Sequence, residues 1–220
     1  MSPASNSNGD MTDTLTSDAK RSEMDVLAKQ AADCRKCELW ETRTQVVWGS
    51  GPATASVVFI GEGPGRAEDE GGQPFIGAAG KVLDEFLEAA DINRSDIYIA
   101  NVVKCRPPNN RNPLPKEIEV CTNYLQAQMG IIKPSVIVTL GTFATRYTLQ
   151  KQDSMASLQG RLFQSKKYII LPLYHPAATI YDRTKREPFF AAAQTLKKVL
   201  AERAQDDHDS DSKLEQSSAA

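Results

Sequence analysis

Apolar positions along the centre of the chain switch repeatedly between a period of two and a helical period. Val57-Val58-Phe59-Ile60 is a short, β-branched and aromatic run that stops at a glycine cluster, the pattern of a buried strand. Val82, Leu83, Phe86, Leu87 and Ala90 then recur at helical spacing. Ile97 to Val103 reads as a second strand, and Leu114 to Met129 as a helix opened by prolines. Val136 to Leu140 is a third strand, followed by a helix over Thr142 to Leu149. Tyr168 to Leu173 is a fourth strand, Phe189 to Leu200 a closing helix, and Met24 to Ala32 a helix ahead of them all. Strands alternating with helices predict an α/β fold, a parallel sheet with helices on both faces. Ligands of such sheets sit outside the carboxyl ends of the strands. Three of these ends carry unusual residues: Gly61 to Gly65, Asn101 to Arg106, and His175-Pro176. They are expected to converge on one crevice.

The pattern also excludes several classes. There is no glycine period, no sustained heptad and no apolar run of ~18 residues, so collagenous, coiled-coil and membrane-spanning readings fail. The 220 residues suffice for one substantial domain, with 40% hydrophobic and 25% charged residues, ordinary globular usage. Residues 1–23 and 206–220 are polar and Ser- and Asp-rich, and are expected to be disordered tails around a folded domain over 24–205. The formal net charge of −2 is concentrated in those tails, which leaves the central segment mildly basic and compatible with a polyanionic partner. Met1 to Asp18 lacks the apolar core of a signal peptide, so the expected address is the cytosol or nucleoplasm.

Four cysteines are present: Cys34, Cys37, Cys105 and Cys121, the first two spaced C-x-x-C. Reduced thiols are expected in that compartment, and four thiolates complete the ligand set of a tetrahedral zinc or an iron–sulfur cluster. Spacing does not separate the two. A redox pair is the weaker reading, because Cys34-Arg-Lys-Cys37 precedes the first strand and has no Trp-Cys-Gly-Pro-like turn.

The turn Phe59-Ile-Gly-Glu-Gly-Pro-Gly65 has the look of a phosphate loop and lacks its chemistry. Arg66 stands where a dinucleotide site needs a third glycine, no Gly-Lys-Ser/Thr closes the loop, and Pro64 removes a backbone N–H. Phe75, flanked by proline and glycine in a turn, is a candidate stacking platform for an extruded base.

Gly-Glu-Gly-Pro-Gly at 61–65, Glu68-Asp69, Pro74-Phe75-Ile76-Gly77 with Ala79-Gly80, Asn101-Val-Val-Lys-Cys-Arg-Pro-Pro108 and His175-Pro-Ala-Ala178 occur in that order. Together with the cysteine frame they resemble the family 4 (iron–sulfur) uracil-DNA glycosylases, from about Leu27 to Leu200. The resemblance implies a three-layer α/β/α sandwich with a central four-stranded parallel sheet, and a 4Fe-4S cluster on Cys34, Cys37, Cys105 and Cys121. It implies a monofunctional hydrolase that removes uracil from single- or double-stranded DNA and leaves an abasic site. It further implies a monomer with no membrane partner.

Residue by residue, the resemblance makes Asn101 the reader of uracil O4 and N3–H, and His175 the donor to uracil O2 as the base departs. Gly61, Glu62, Gly63 and Phe75 complete the base site. Other branches of the superfamily carry an aspartate at the position of Gly63, so here Glu62 and Asn110 are expected to position the attacking water. Glu68 is a candidate assistant, and Asp69 an orienter of the loop. Lys166-Lys167, Arg183, Lys185 and Arg186 form a basic set expected to press on DNA, with Tyr181 or Arg183 as the wedge. Two alternatives stand against the enzyme. A covalent uracil trap would carry a reactive histidine after the Asn101 motif, and Arg106 to Cys121 contains none. A non-catalytic iron–sulfur DNA-binding module would not need Glu62, Asn101, Asn110 and His175 together.

Overall fold

The computed structural model describes residues 16–165 and 167–218, with side chains through residue 205. The four expected strands are present as β1 (Val57–Gly61), β2 (Tyr98–Asn101), β3 (Val136–Leu140) and β5 (Ile169–Leu173). The count of four needs correction, because a two-residue strand, β4 (Phe163–Gln164), pairs antiparallel with β5. The sheet order is β2-β1-β3-β5-β4, parallel except at that last edge. Two residues are too short to carry a period, so β4 leaves no mark in the hydrophobic pattern. A short antiparallel edge of this kind also offers little unpaired backbone to a second chain.

The helices are α1 (Ser17–Ala32), α2 (Arg66–Gly71), α3 (Ala78–Ala89), α4 (Pro115–Ile132), α5 (Thr142–Leu149), α6 (Met155–Leu158), α7 (Pro176–Tyr181) and α8 (Arg186–Ser218). Alternate residues of β1 face opposite layers, as the pleat requires. Val57 and Phe59 pack with Leu83 and Phe86 of α3 and Phe189 and Leu196 of α8. Val58 and Ile60 pack with Met24 of α1 and Leu125 and Met129 of α4. The result is the expected three-layer α/β/α sandwich.

Helices reach into both segments expected to be tails. Helix α1 begins at Ser17, inside the stretch expected to be disordered, because Thr16 caps it by accepting from Ala19 N–H at 3.3 Å. Lys20 Nζ then donates to Ile132 O at the far end of α4. At the other end α8 continues to Ser218, through most of the stretch expected to be disordered. No proline or glycine follows Pro188, so nothing in the sequence breaks the helix. Residues 1–15 and 219–220 lie outside the described residues. Among the described residues no helix is long and apolar enough to cross a membrane.

Candidate active site

The unusual strand ends do converge. Gly61 and Asn101 are register partners at the carboxyl ends of β1 and β2. His175 follows β5 by two residues and sits at the N-cap of α7. Between them lies a cavity of about 300 Å³, lined by Glu62, Gly63, Phe75, Asn101, Asn110 and His175 among others.

Asn101 is 2% exposed, and its Oδ1 is buried without a hydrogen-bond partner. An orphaned acceptor of this kind costs ~1–3 kcal/mol, which a folded protein rarely leaves uncompensated. Gly61 makes the arrangement possible. A Cβ there would lie 2.4 Å from Asn101 Oδ1 and 2.7 Å from Phe75 Cε2, so only glycine lets amide and ring approach so closely.

Phe75 holds a left-handed backbone (φ +54°), unusual for an aromatic residue. Arg94 secures it: Nη2 donates to the carbonyls of Pro74 and Phe75, each at 2.9 Å, while Nη1 is anchored on Asp84 at 2.6 Å. The Phe75 ring faces the His175 imidazole with centroids 5.7 Å apart and planes inclined by 30°.

His175 Nδ1 accepts from Ala177 N–H at 3.2 Å, and Pro176 occupies the first helical position, where its missing N–H is not needed. Burial pulls the imidazole down to about 4, against a weaker opposing pull from the Glu68 carboxylate. The ring is therefore neutral near pH 7. Because Nδ1 accepts, its single proton resides on Nε2, a donor.

Glu62 has its carboxyl pushed above the ordinary value by burial. Asn110, in a left-handed backbone (φ +53°), receives Arg106 Nε on Oδ1 at 2.8 Å. A guanidinium only donates, so that bond fixes the amide and leaves its NH₂ group for other partners. At Gly63, a Cβ would meet Val103 Cγ2 at 2.7 Å. A side chain at 63 would have to displace Val103.

Glu68 lines the same cavity and binds backbone groups. Its Oε2 accepts from Gly65 N–H (3.1 Å), and its Oε1 from Ile76 N–H (3.1 Å) and Gly77 N–H (2.8 Å). It ties the glycine turn to the Phe75 loop. Asp69 is buried and accepts from Thr44 N–H with both oxygens at 3.0 Å, orienting the neighbouring segment.

The basic set divides. Lys185 pairs with Asp182 at 3.1 Å and Arg186 with Glu85 at 2.7 Å. Tyr181, at the end of α7, is 88% exposed. Lys166 lies outside the described residues.

All four cysteines are free thiols and line one small cavity between α1, the Cys105 turn and α4. Burial pushes the thiols of Cys37 and Cys105 up, and that of Cys121 to about 11. Thiolates gathered there need a compensating cation. Two donors already face the sulfurs: Arg43 Nη1 on Cys105 Sγ at 3.1 Å and Lys104 N–H on Cys121 Sγ at 3.2 Å. Among the described residues no group of three or more His, Cys, Asp or Glu side chains is placed to hold a single metal ion. The Lys104 side chain, unremarkable in the sequence, is fully buried beside this cavity, and burial lowers it to about 8.

A chain with this sheet, this apolar base-sized pocket and an amide beside a neutral imidazole has the outline of an enzyme that excises bases. The family model described as the uracil DNA glycosylase superfamily matches residues 48–200. The chain is 43% identical over 174 residues to a type-4 uracil-DNA glycosylase of Archaeoglobus fulgidus, covering 76% of this chain and 87% of the relative. It is 42% identical over 165 residues to a type-4 uracil-DNA glycosylase of Thermotoga maritima, covering 73% and 85%. A type-5 uracil-DNA glycosylase of Pyrobaculum aerophilum is 25% identical over 185 residues, covering 76% and 81%. The chain belongs to the type-4 family of uracil-DNA glycosylases within that superfamily.

Proposed function

We propose that the protein hydrolyses the N-glycosidic bond of uracil in DNA, as a monomer acting on single- or double-stranded substrate in the cytoplasm near the nucleoid. The observation that carries this reading is the unpartnered Asn101 Oδ1 in the pocket beside Phe75 and His175. Uracil offers N3–H to that acceptor and O4 to the amide NH₂; cytosine reverses both groups and would leave two buried mismatches. Phe75 stacks on the extruded base. As the bond breaks, negative charge grows on uracil O2, and the Nε2–H of neutral His175 stabilises it without giving up its proton. Ionised Glu62 accepts a hydrogen bond from the attacking water and takes its proton, while the Asn110 amide holds the water oxygen. Exposed Tyr181 fills the gap in the duplex, with Arg183 beside it on phosphate; Lys185 and Arg186 reach DNA only by leaving their carboxylate partners.

From oligonucleotides carrying one uracil or one cytosine at the same position, only uracil should be released. The pH profile tests the roles. Glu62 must be ionised, so kcat/KM should fall as pH drops through its raised value, while His175 stays neutral until about pH 4. Glu62→Gln should slow the reaction and abolish that acid limb. A variant that keeps the limb unchanged would remove Glu62 from the role.

The donor set fits a 4Fe-4S cluster: four thiols from three segments surround one cavity with N–H donors to the sulfurs. When bound it supplies a structural tie between α1, α4 and the turn after Asn101. The purified protein should be brown, with visible absorption and iron content lowered by Cys34→Ala, Cys37→Ala, Cys105→Ala or Cys121→Ala. Colourless protein with one zinc and no iron would refute the cluster.

A further inference from the structure

We propose that Lys104 is a positioning residue for the base reader, holding Asn101 through its backbone carbonyl; the proposal rests on the reading of Asn101 given above. Strand β2 forms the outer edge of the sheet, with β1 on its inner side. Val102 N–H bonds inward to Gly61 O, so residues 99 and 101 face outward by the period of two. Ile99 finds partners there, exchanging both backbone bonds with Ser50 at 2.8 and 2.9 Å. Two residues on, no strand among the described residues continues that bridge. Lys104 closes the gap: its Nζ turns back and donates to Asn101 O at 3.0 Å.

The ammonium is itself fixed. It donates to Gln128 Oε1 at 2.6 Å, and Gln128 Nε2 donates to Trp48 O at 3.0 Å and to Tyr98 Oη at 2.9 Å. Lysine only donates and a carbonyl only accepts, so the Gln128 amide has one orientation that satisfies the network. The backbone of Lys104 is pinned as well, its N–H on Cys121 Sγ and its C=O on Val47 N–H. Lys104 is 1% exposed, and among the described residues no carboxylate pairs with it. Its charge lies 5.6 Å from the centre of the Trp48 ring and interacts with Cys121. Burying an ammonium with no carboxylate partner is still costly, and an apolar side chain would fill the space more cheaply. What the ammonium supplies to Asn101, and an apolar chain does not, is a donor on the carbonyl of the residue whose side chain reads the base. Small displacements of such a group reduce rate sharply.

The test is a double-mutant cycle in single turnover on a uracil-containing oligonucleotide, using full-length protein, with DNA affinity, thermal midpoint and visible absorption recorded for each variant. Lys104→Met is expected to lower the rate roughly 10–100-fold, with DNA affinity and absorption little changed. In the Asn101→Ala background the same substitution should change the rate by less than about twofold, because its route of action is gone. Any loss of thermal midpoint should be the same in both backgrounds. Equal fold-losses of rate in both backgrounds would overturn the role of Lys104 and leave Asn101 as the reader. Parent-level activity of Asn101→Ala alone would instead overturn the reading of Asn101. Should Lys104→Met not fold, Gln128→Met carries the test: it keeps the ammonium, removes one acceptor, and should show a smaller loss with the same dependence on background.

Discussion

Asn101→Asp is expected to slow uracil release in single turnover by roughly 10²–10³-fold, which corresponds to ~2–4 kcal/mol of transition-state stabilisation. The substitution keeps the size and the acceptor of the side chain and removes its donor. A carboxylate would then face uracil O4, where two acceptors repel, inside a pocket that excludes most water. The position tolerates little relaxation, because Gly61 lies so near the amide that a Cβ there would stand 2.4 Å from Oδ1, and Lys104 holds the Asn101 carbonyl. Binding to undamaged DNA should be nearly unaffected, since the backbone contacts that dominate affinity lie elsewhere. If the aspartate variant releases uracil at the parent rate, Asn101 does not read the base.

His175→Ala should cost ~10²–10³-fold on uracil, the usual loss when one preorganised donor to a developing oxyanion is removed. The diagnostic is how the loss changes with leaving group. 5-Fluorouracil departs more readily as an anion, so it needs the Nε2–H donor less and should lose markedly less activity in His175→Ala. Losses in Glu62→Gln and Asn110→Ala should be similar for both bases, because those residues act on the water. The two should couple in the double variant if they share one water. Rates must come from single turnover, where slow release of the abasic product does not mask chemistry. Equal relative losses for His175→Ala on both bases would return His175 to a purely structural part, capping α7 through Nδ1.

The strands that bear the site were legible because each is a buried run bounded by a turn signal, and their ends carried the unusual residues. The parallel-sheet rule then placed the glycine turn, Asn101 and His175 around one crevice, and Gly63, Asn101 and His175 line one cavity in the structure. Short elements were not legible: β4 has two residues, and α7 only six, Pro176 included, after its His175 cap. Charged residues were the other blind spot. The sequence marks Glu68 only as a candidate assistant and singles out neither Arg94 nor Lys104. In the fold they bind backbone groups 3 to 20 residues away in sequence. A hydrophobic pattern records which face is buried. It carries no information on which backbone carbonyl will lack a partner at a sheet edge.

Hydrolysis is defined by where the bond breaks and what each product becomes. The most direct measurement is a product balance: one enzyme equivalent, a strand with a single uracil, and mass analysis of base, DNA and protein from one turnover. Hydrolysis through Glu62 and His175 predicts free uracil and an intact abasic strand in equal amounts, with the protein mass unchanged. A protein–DNA adduct in place of the free abasic strand, or no uracil from folded protein, would contradict the account.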